Sequence, residues 1–375
     1  MKERGNPLLK KLDRYLGIPL VWGLGLFKSP RALPKLDRDA EVRFILLKTA
    51  GIGDTILTQG IIREIKENFP HSTIDYVCTA TNYGMAKLLP GVNQVFKFEL
   101  KHPLTSLMYF RKLSGYDFLL DFAPWTKINA VITACITAMF KVGFKRRKMH
   151  RHYLYDAYVE HLDTVHEIDN YRSLIRLCGM RVYNFLPQLD FKSIILPVAY
   201  QKLEQERYCI FHICPGGSSA FLRMWPLENW QKLGSLIWQQ YGMKILLTGG
   251  KADYEYVEKL KFKLESFKVP VENLAGKANL EIVGKIMQGA IFLVSVNTGI
   301  MHFGAALNLP VIALNGPTSP LRWGPLGDKC LSVQSGVSCQ PCISLGFETK
   351  CQEPKCMRQL TVEQVMQAVE KLMMR

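Results

Sequence analysis

The sequence predicts two α/β units in tandem, each a parallel sheet with helices on both faces, preceded by a basic amphipathic leader. Two observations carry this. Short apolar runs alternate with amphipathic stretches from Val42 onward, and the alternation restarts after about residue 205. The runs, such as 42–47 and 208–213, are apolar at most positions, as expected of strands buried on both faces. A chain of 375 residues accommodates two domains of roughly 100–200 residues each.

Residues 1–39 read as the leader. Lys10, Lys11, Arg14 and Lys28 flank Leu8, Leu9, Leu12, Tyr15, Leu16, Ile18, Leu20, Val21 and Trp22. Such a segment suits either the headgroup region of an anionic leaflet or the protein's own surface. The apolar run 18–27 is about half of the roughly 20 residues a spanning helix needs. No small-residue cleavage site follows the basic start. These features predict a cytoplasmic protein, peripheral at the membrane, with Pro30 and Pro34 in a linker.

Residues 40–195 form the first expected domain, with strands at 42–47, 73–78 and 116–122 and helices at 55–68 and 129–140. A basic loop, 145–151, precedes a polar, His-bearing stretch and a helix ending at Cys178. Residues 187–205 are the expected connection. The second domain, 205–330, places strands at 208–213, 244–248, 291–296 and 310–314 between helices at 228–241, 252–265, 280–288 and 302–307. Residues 331–375 hold a cysteine-containing loop and a final helix, 362–374. Ligands of open α/β sheets sit beyond the carboxyl ends of the strands, which in two such domains face a shared cleft.

Three strand ends carry candidate chemistry. The first reads Lys48-Thr49-Ala50-Gly51-Ile52-Gly53-Asp54-Thr55. Gly51 and Gly53 permit a tight turn and a close approach by a ligand. Ile56 occupies the third glycine position of a dinucleotide fingerprint, and no Gly-Lys-Ser/Thr follows for a Walker loop. Asp54 is then either a helix N-cap or a general base. The second strand end reads Cys214-Pro215-Gly216-Gly217-Ser218-Ser219, with Arg223 and Trp225-Pro226 beyond. Exposed backbone, two hydroxyls and a guanidinium suit phosphate oxygens, and Pro226 suits the first position of a helix. The third, Asn297-Thr298-Gly299, breaks an apolar run before a helix. That makes it either an anion site at a helix N-terminus or an ordinary connection.

The net charge of +16 favours anionic partners. No nucleic-acid-binding signature accompanies the basic run Lys145 to Arg151, so nucleic acid is not an expected partner. Cys339-x2-Cys342 and Cys351-x4-Cys356 have spacings compatible with a structural metal, a disulfide or simple loop thiols. The histidines form no metal-ligand pattern, so no catalytic metal is expected.

On these motifs the chain resembles glycosyltransferase family 9, the bacterial heptosyltransferases that build the inner core of lipopolysaccharide. The resemblance rests on ILLKTAGIGDTILT (45–58), PGGSSAFLRMWPLENW (215–230), LTGGKAD (247–253), LAGKANLEIVGKIMQGA (274–290) and NTGIMHFGAALNLPVIALNGPT (297–318). It implies a GT-B fold and an inverting transfer with neither metal nor cofactor. The donor is a nucleotide sugar, with ADP-heptose favoured, and the acceptor a phosphorylated lipid-A core at the cytoplasmic face of the inner membrane. By resemblance Asp54 is the base, and Arg223, where some members have Lys, stabilises the departing diphosphate. Ser218 and Ser219 map onto the family's hydroxyl pair, and Thr298, Gly299 and His302 onto its donor-phosphate contacts. Asn297 stands where many members carry an Asp that contacts the donor sugar, so hydrogen bonding is kept and the charge lost. The acceptor side is expected around Gly51, Gly53, Lys145, Arg146 and Arg147. A different donor sugar, or a GT-B-like sugar-nucleotide epimerase, is the alternative.

Overall fold

The computed structural model describes residues 13, 15, 17–217, 219–344 and 351–374. They fall into two compact units that divide between Pro187 and Gln188.

The N-terminal unit is built on a six-stranded parallel sheet: β1 (Arg43–Leu47), β2 (Thr73–Thr79), β3 (Gln94–Phe98), β4 (Tyr116–Asp121), β5 (Ala138–Lys145) and β6 (Ala157–Glu160). Their order is β3-β2-β1-β4-β5-β6. Ile45 of β1 lies beside Asp75 of β2 and Leu119 of β4. Ile45, Leu47, Val77 and Leu119 pack with Phe110 and Ile132 from the covering helices, all buried. Phe44 stacks on Phe118 with ring centroids 5.0 Å apart.

Two expectations change here. The helix expected over 129–140 ends at Cys135, and β5 takes over from Ala138. Ile136 is already extended (φ −79°, ψ 135°), as suits a β-branched residue followed by another. An apolar run of this kind fits either period, and packing decides. The basic run 145–151 is likewise not one exposed loop. Lys145 closes β5, while Arg151 is buried and ion-paired with the equally buried Asp121 at 2.5 Å.

Of the leader, Lys10, Lys11 and Arg14, with Leu8, Leu9, Leu12 and Leu16, lie outside the described residues. The helix Gly17–Gly25 buries Val21 against Ala130, Val131 and Leu154. Asp13 accepts from the Ile128 N–H at 3.1 Å, Lys28 pairs with Asp156, and Arg31 donates to the Ala138 carbonyl at 2.8 Å. The outer side stays exposed at Leu20, Trp22, Leu26 and Phe27. The segment therefore both packs on the protein and presents apolar surface. Among the described residues no helix is long and apolar enough to cross a membrane.

The C-terminal unit repeats the plan with β7 (Tyr208–His212), β8 (Lys244–Thr248), β9 (Val271–Asn273), β10 (Leu293–Val296), β11 (Val311–Leu314) and β12 (Cys330–Val333). The order β12-β11-β10-β7-β8-β9 is the same winding read from the other edge. Residues from Gln188 onward pack on this unit. The Leu189 N–H donates to the Ala306 carbonyl at 2.8 Å, and Phe191 meets Phe303 edge-on at 5.7 Å. The final helix, Val362–Met373, is opened by a capping box between Thr361 and Gln364 and buries Val365, Val369 and Leu372. The Trp225 indole N–H, itself buried, donates to the Leu360 carbonyl at 2.8 Å. Among the described residues no disulfide joins the cysteines, and Cys342 and Cys356 both lie against the Gly316–Pro317 turn.

Candidate active site

In the N-terminal sheet the chain leaves β1 toward β2 and leaves β4 toward β5, on the opposite side. The carboxyl ends of β1 and β4 therefore flank a switch point, where such sheets bind ligands. Lys48, Gly51 and Asp54 follow β1, and Phe122 follows β4. The helix expected from residue 55 begins three residues earlier, at Ile52, with Gly51 as its N-cap. Asp54 is therefore not the N-cap. It sits in the first turn, where the helix dipole favours a carboxylate.

The Asp54 side chain is a quarter exposed and pairs with the Lys48 ammonium at 2.7 Å through Oδ1. The same Oδ1 accepts from the Tyr171 hydroxyl at 3.0 Å. Lys48 Nζ also donates to Tyr171 Oη at 2.8 Å and to the Phe122 carbonyl at 3.2 Å. Burial and the Asp54 charge push the Tyr171 phenol well above its usual range, so it stays a hydroxyl. Gly51 has φ +85°, and a Cβ there would stand 2.1 Å from Asp54 Oδ2. Only glycine gives both that backbone and that space. Asn82 donates to the Lys48 carbonyl at 2.8 Å and Thr79 to the Thr49 carbonyl at 2.6 Å, which braces the turn.

The basic residues behind this turn are engaged as well. Arg146 makes two bonds to Asp163, at 2.8 and 2.7 Å, lies over the Trp125 ring and contacts His161 Nδ1 at 3.0 Å. His161 in turn meets Glu167 at 3.0 Å, on the helix Glu167–Leu177 that carries Tyr171. Lys145 Nζ stands 4.0 Å from Glu160, and Arg147 is exposed.

In the C-terminal unit β7 and β10 flank the switch point. Arg223, at the end of the 3₁₀ turn Ala220–Arg223, reaches back to both turns that follow these strands. Its guanidinium donates to the Gly216 carbonyl and, at 3.2 Å, to the Asn297 carbonyl. Burial pulls its pKa down to about 10, which still leaves it cationic at neutral pH. Gly217 and Ser219 take left-handed backbones (φ +81° and +52°) that fold the turn around Arg223. Ser218 lies outside the described residues. Pro226 is the N-cap of the helix Leu227–Tyr241, one position before the expected one.

Thr298 caps the helix Gly299–Ala306, its Oγ1 accepting from the Ile300 N–H at 3.0 Å. Gly299 is thus the first helical residue, and His302 is buried within the first turns. The Asn297 amide nitrogen donates to Asn315 Oδ1 at 2.7 Å and to the Trp323 carbonyl at 3.3 Å. The structure so gathers Gly216, Gly217, Ser219, Arg223, Asn297, Thr298 and Gly299 at one sheet end, and Lys48, Gly51, Asp54 and Tyr171 at the other. Sequence reasoning missed Lys48, Tyr171 and Asn315. A lysine closing an apolar strand was the available signal for Lys48, but Tyr171 comes from a helix more than a hundred residues away.

A sequence profile described as glycosyltransferase family 9 (heptosyltransferase) matches residues 109–354. The chain belongs to glycosyltransferase family 9. It is 25% identical over 313 residues to lipopolysaccharide heptosyltransferase 2 of Salmonella typhimurium, covering 78% of this chain and 88% of the relative. It is similar to the solved structure of E. coli ADP-heptose lps heptosyltransferase II, with a TM-score of 0.69 at 19% identity over 89% of this chain and 99% of that one. The family 9 glycosyl transferase of Veillonella parvula gives a TM-score of 0.71 at 21% identity, covering 90% and 99%. The two parallel six-stranded sheets are those of the GT-B fold, and the protein is a glycosyltransferase.

Proposed function

We propose that this transferase moves a heptose from ADP-heptose onto a lipopolysaccharide or lipooligosaccharide core acceptor, with inversion at the anomeric carbon. The donor and acceptor classes rest on the relatives, since the Salmonella protein is a lipopolysaccharide heptosyltransferase and the E. coli structure is that of an ADP-heptose enzyme. The observation that carries the chemistry is that a carboxylate, Asp54, stands at the switch point of one sheet and a guanidinium, Arg223, at that of the other. Asp54 accepts the proton of the acceptor hydroxyl as its oxygen attacks the anomeric carbon. The bond to the diphosphate breaks, and Arg223 with the backbone N–H groups at Gly299 answers the charge left on it. The step is metal-independent, since those donors meet the leaving-group charge.

Ser218 and Ser219 offer hydroxyls to the diphosphate, and Thr298 and His302 flank it. Asn297 commits its Nδ2 to Asn315 and Trp323, so it meets the donor sugar through its side-chain oxygen, Oδ1, as an acceptor. Gly51 and Gly53 leave room for the acceptor hydroxyl beside Asp54. Lys145, Arg146 and Arg147 face the acceptor's phosphates, Arg147 as the exposed member. The enzyme works at the cytoplasmic face of the inner membrane. Leu20, Trp22, Leu26 and Phe27 enter the headgroup layer there, and exposed Arg147 and Lys148 meet anionic lipid.

The test is product analysis by mass spectrometry with ADP-heptose and a heptose-deficient core acceptor. One added heptose is expected, and Asp54→Ala lowers turnover by a factor on the order of 10²–10⁴ with donor affinity retained. Isomerisation of the sugar nucleotide without acceptor, or transfer only from another donor sugar, overturns the reading.

A further inference from the structure

We infer that Lys48 is a positioning residue for the base: its ammonium, held between Tyr171 and the Phe122 carbonyl, keeps the Asp54 carboxylate ionised and fixed in direction. The inference rests on the reading of Asp54 as the base.

Lys48 has three protons to donate, and three acceptors surround it: Asp54 Oδ1 at 2.7 Å, Tyr171 Oη at 2.8 Å and the Phe122 carbonyl at 3.2 Å. Its side chain is only 7% exposed. Removing an ammonium from water is costly, and a buried ion pair is often no more stable than an apolar pair filling the same space. An aliphatic residue would have extended β1 by one position at no such cost. The cation is therefore better explained by what it does to Asp54 than by what it does for the fold.

The geometry gives it two effects. An opposite charge within a few ångströms favours the ionised carboxylate. Lys48 and Tyr171 also both act on Oδ1, and Lys48 bonds Tyr171 as well, so the three side chains form a closed triangle that fixes the carboxylate plane. Among the described residues, the titratable groups that act on Tyr171 besides Asp54 include Tyr76 of β2 and Glu167, one turn before Tyr171. Burial keeps Tyr76 a neutral phenol, and Glu167 is engaged with His161 at 3.0 Å. Lys48 contributes a cation to the triangle, 2.7 Å from Asp54 Oδ1.

The consequence for the reaction is a base that is always ready but weak. The acceptor proton passes to Asp54 late, once the bond from acceptor oxygen to anomeric carbon is forming and the oxygen has become acidic. The electron pair of the cleaved bond leaves with the diphosphate, and no oxidant or reductant enters.

The experiment is the pH dependence of kcat/KM in Lys48→Met, Lys48→Arg and Tyr171→Phe, alongside thermal unfolding of each. In Lys48→Met the acid limb moves up by about one to three pH units. Lys48→Arg keeps the limb near its wild-type position, and Tyr171→Phe moves it up by less than Lys48→Met. A folded Lys48→Met enzyme whose profile is merely lowered in parallel overturns the inference. If that variant does not fold, Tyr171→Phe decides, because an unmoved limb there overturns it too. Full turnover by Asp54→Asn is a different result: it removes the base itself and with it the proposed mechanism.

Discussion

Gly51→Ala tests the link between backbone and chemistry most directly. Gly51 sits at φ +85°, ψ 111°, outside the region that side chains tolerate, and holding alanine there costs on the order of 1–3 kcal/mol. The added Cβ would lie 2.1 Å from Asp54 Oδ2 and 2.9 Å from its Cγ. Bringing these to ordinary contact displaces the carboxylate by about 1 Å, a misplacement that typically lowers turnover on the order of 10²-fold. The same shift stretches the 2.7 Å pair with Lys48. Urea unfolding and steady-state kinetics are measured side by side, with Gly242→Ala as control. Gly242 also has a left-handed backbone, φ +62°, but nothing lies within 4 Å of an added Cβ. The control is expected to lose about 1 kcal/mol of stability and no turnover. If Gly51→Ala matches the control in turnover, the close packing of Gly51 and Asp54 has no part in catalysis.

Three further outcomes are expected. Arg223→Ala lowers both ADP affinity by calorimetry and turnover, the latter on the order of 10²–10³-fold, while Arg223→Lys keeps part of each because a point charge survives; full activity in the alanine variant excludes the role. Sedimentation with anionic vesicles weakens as salt rises and weakens further in a Trp22→Ser, Phe27→Ser double variant, which leaves the buried Val21 in place; equal binding by that variant removes the helix from the membrane surface. Lys141 is buried, and that burial pulls its pKa from 10.5 to about 8, so between those values the unfolded chain holds more protons than the folded one. Stability from this group therefore rises with pH across that window. Lys141→Met is expected to be more stable than wild type at neutral pH, with an advantage that shrinks from pH 8 to 10.5 in paired unfolding curves; a constant difference refutes it.

The sheets were legible where strands are buried on both faces. β1, β2, β4, β7, β8, β10 and β11 all lie inside their sheets or next to the centre, and their apolar runs announce them. The four edge strands, β3, β6, β9 and β12, were not read, because an edge strand alternates or is short and half exposed. The first residues of β5, Ala138 to Phe140, fall within the stretch expected to be helical, because the apolar approach through Ile136 fits either period. At the site, turns marked by glycine were legible, since Gly51 and Gly217 take left-handed backbones (φ +85° and +81°) and Gly299 opens a helix. Partners brought by distant helices were not. Tyr171 reaches Asp54 from 117 residues away, and local spacing carries no trace of such a contact.

The hydrogen bond from Trp225 to the Leu360 carbonyl has a practical consequence. Trp225 lies two residues beyond Arg223, and its ring meets Trp230 edge-on at 5.1 Å beneath the closing helix Val362–Met373. Leu360 and the helix after it thus seat Trp225, and with it the turn that carries Arg223, the residue proposed above to answer the leaving-group charge. A premature stop near the C-terminus would remove no residue of the site, yet it would unseat one. Such an allele would read as a loss of catalysis even where the truncated protein accumulates, and affinity tags are better placed at some distance from that end.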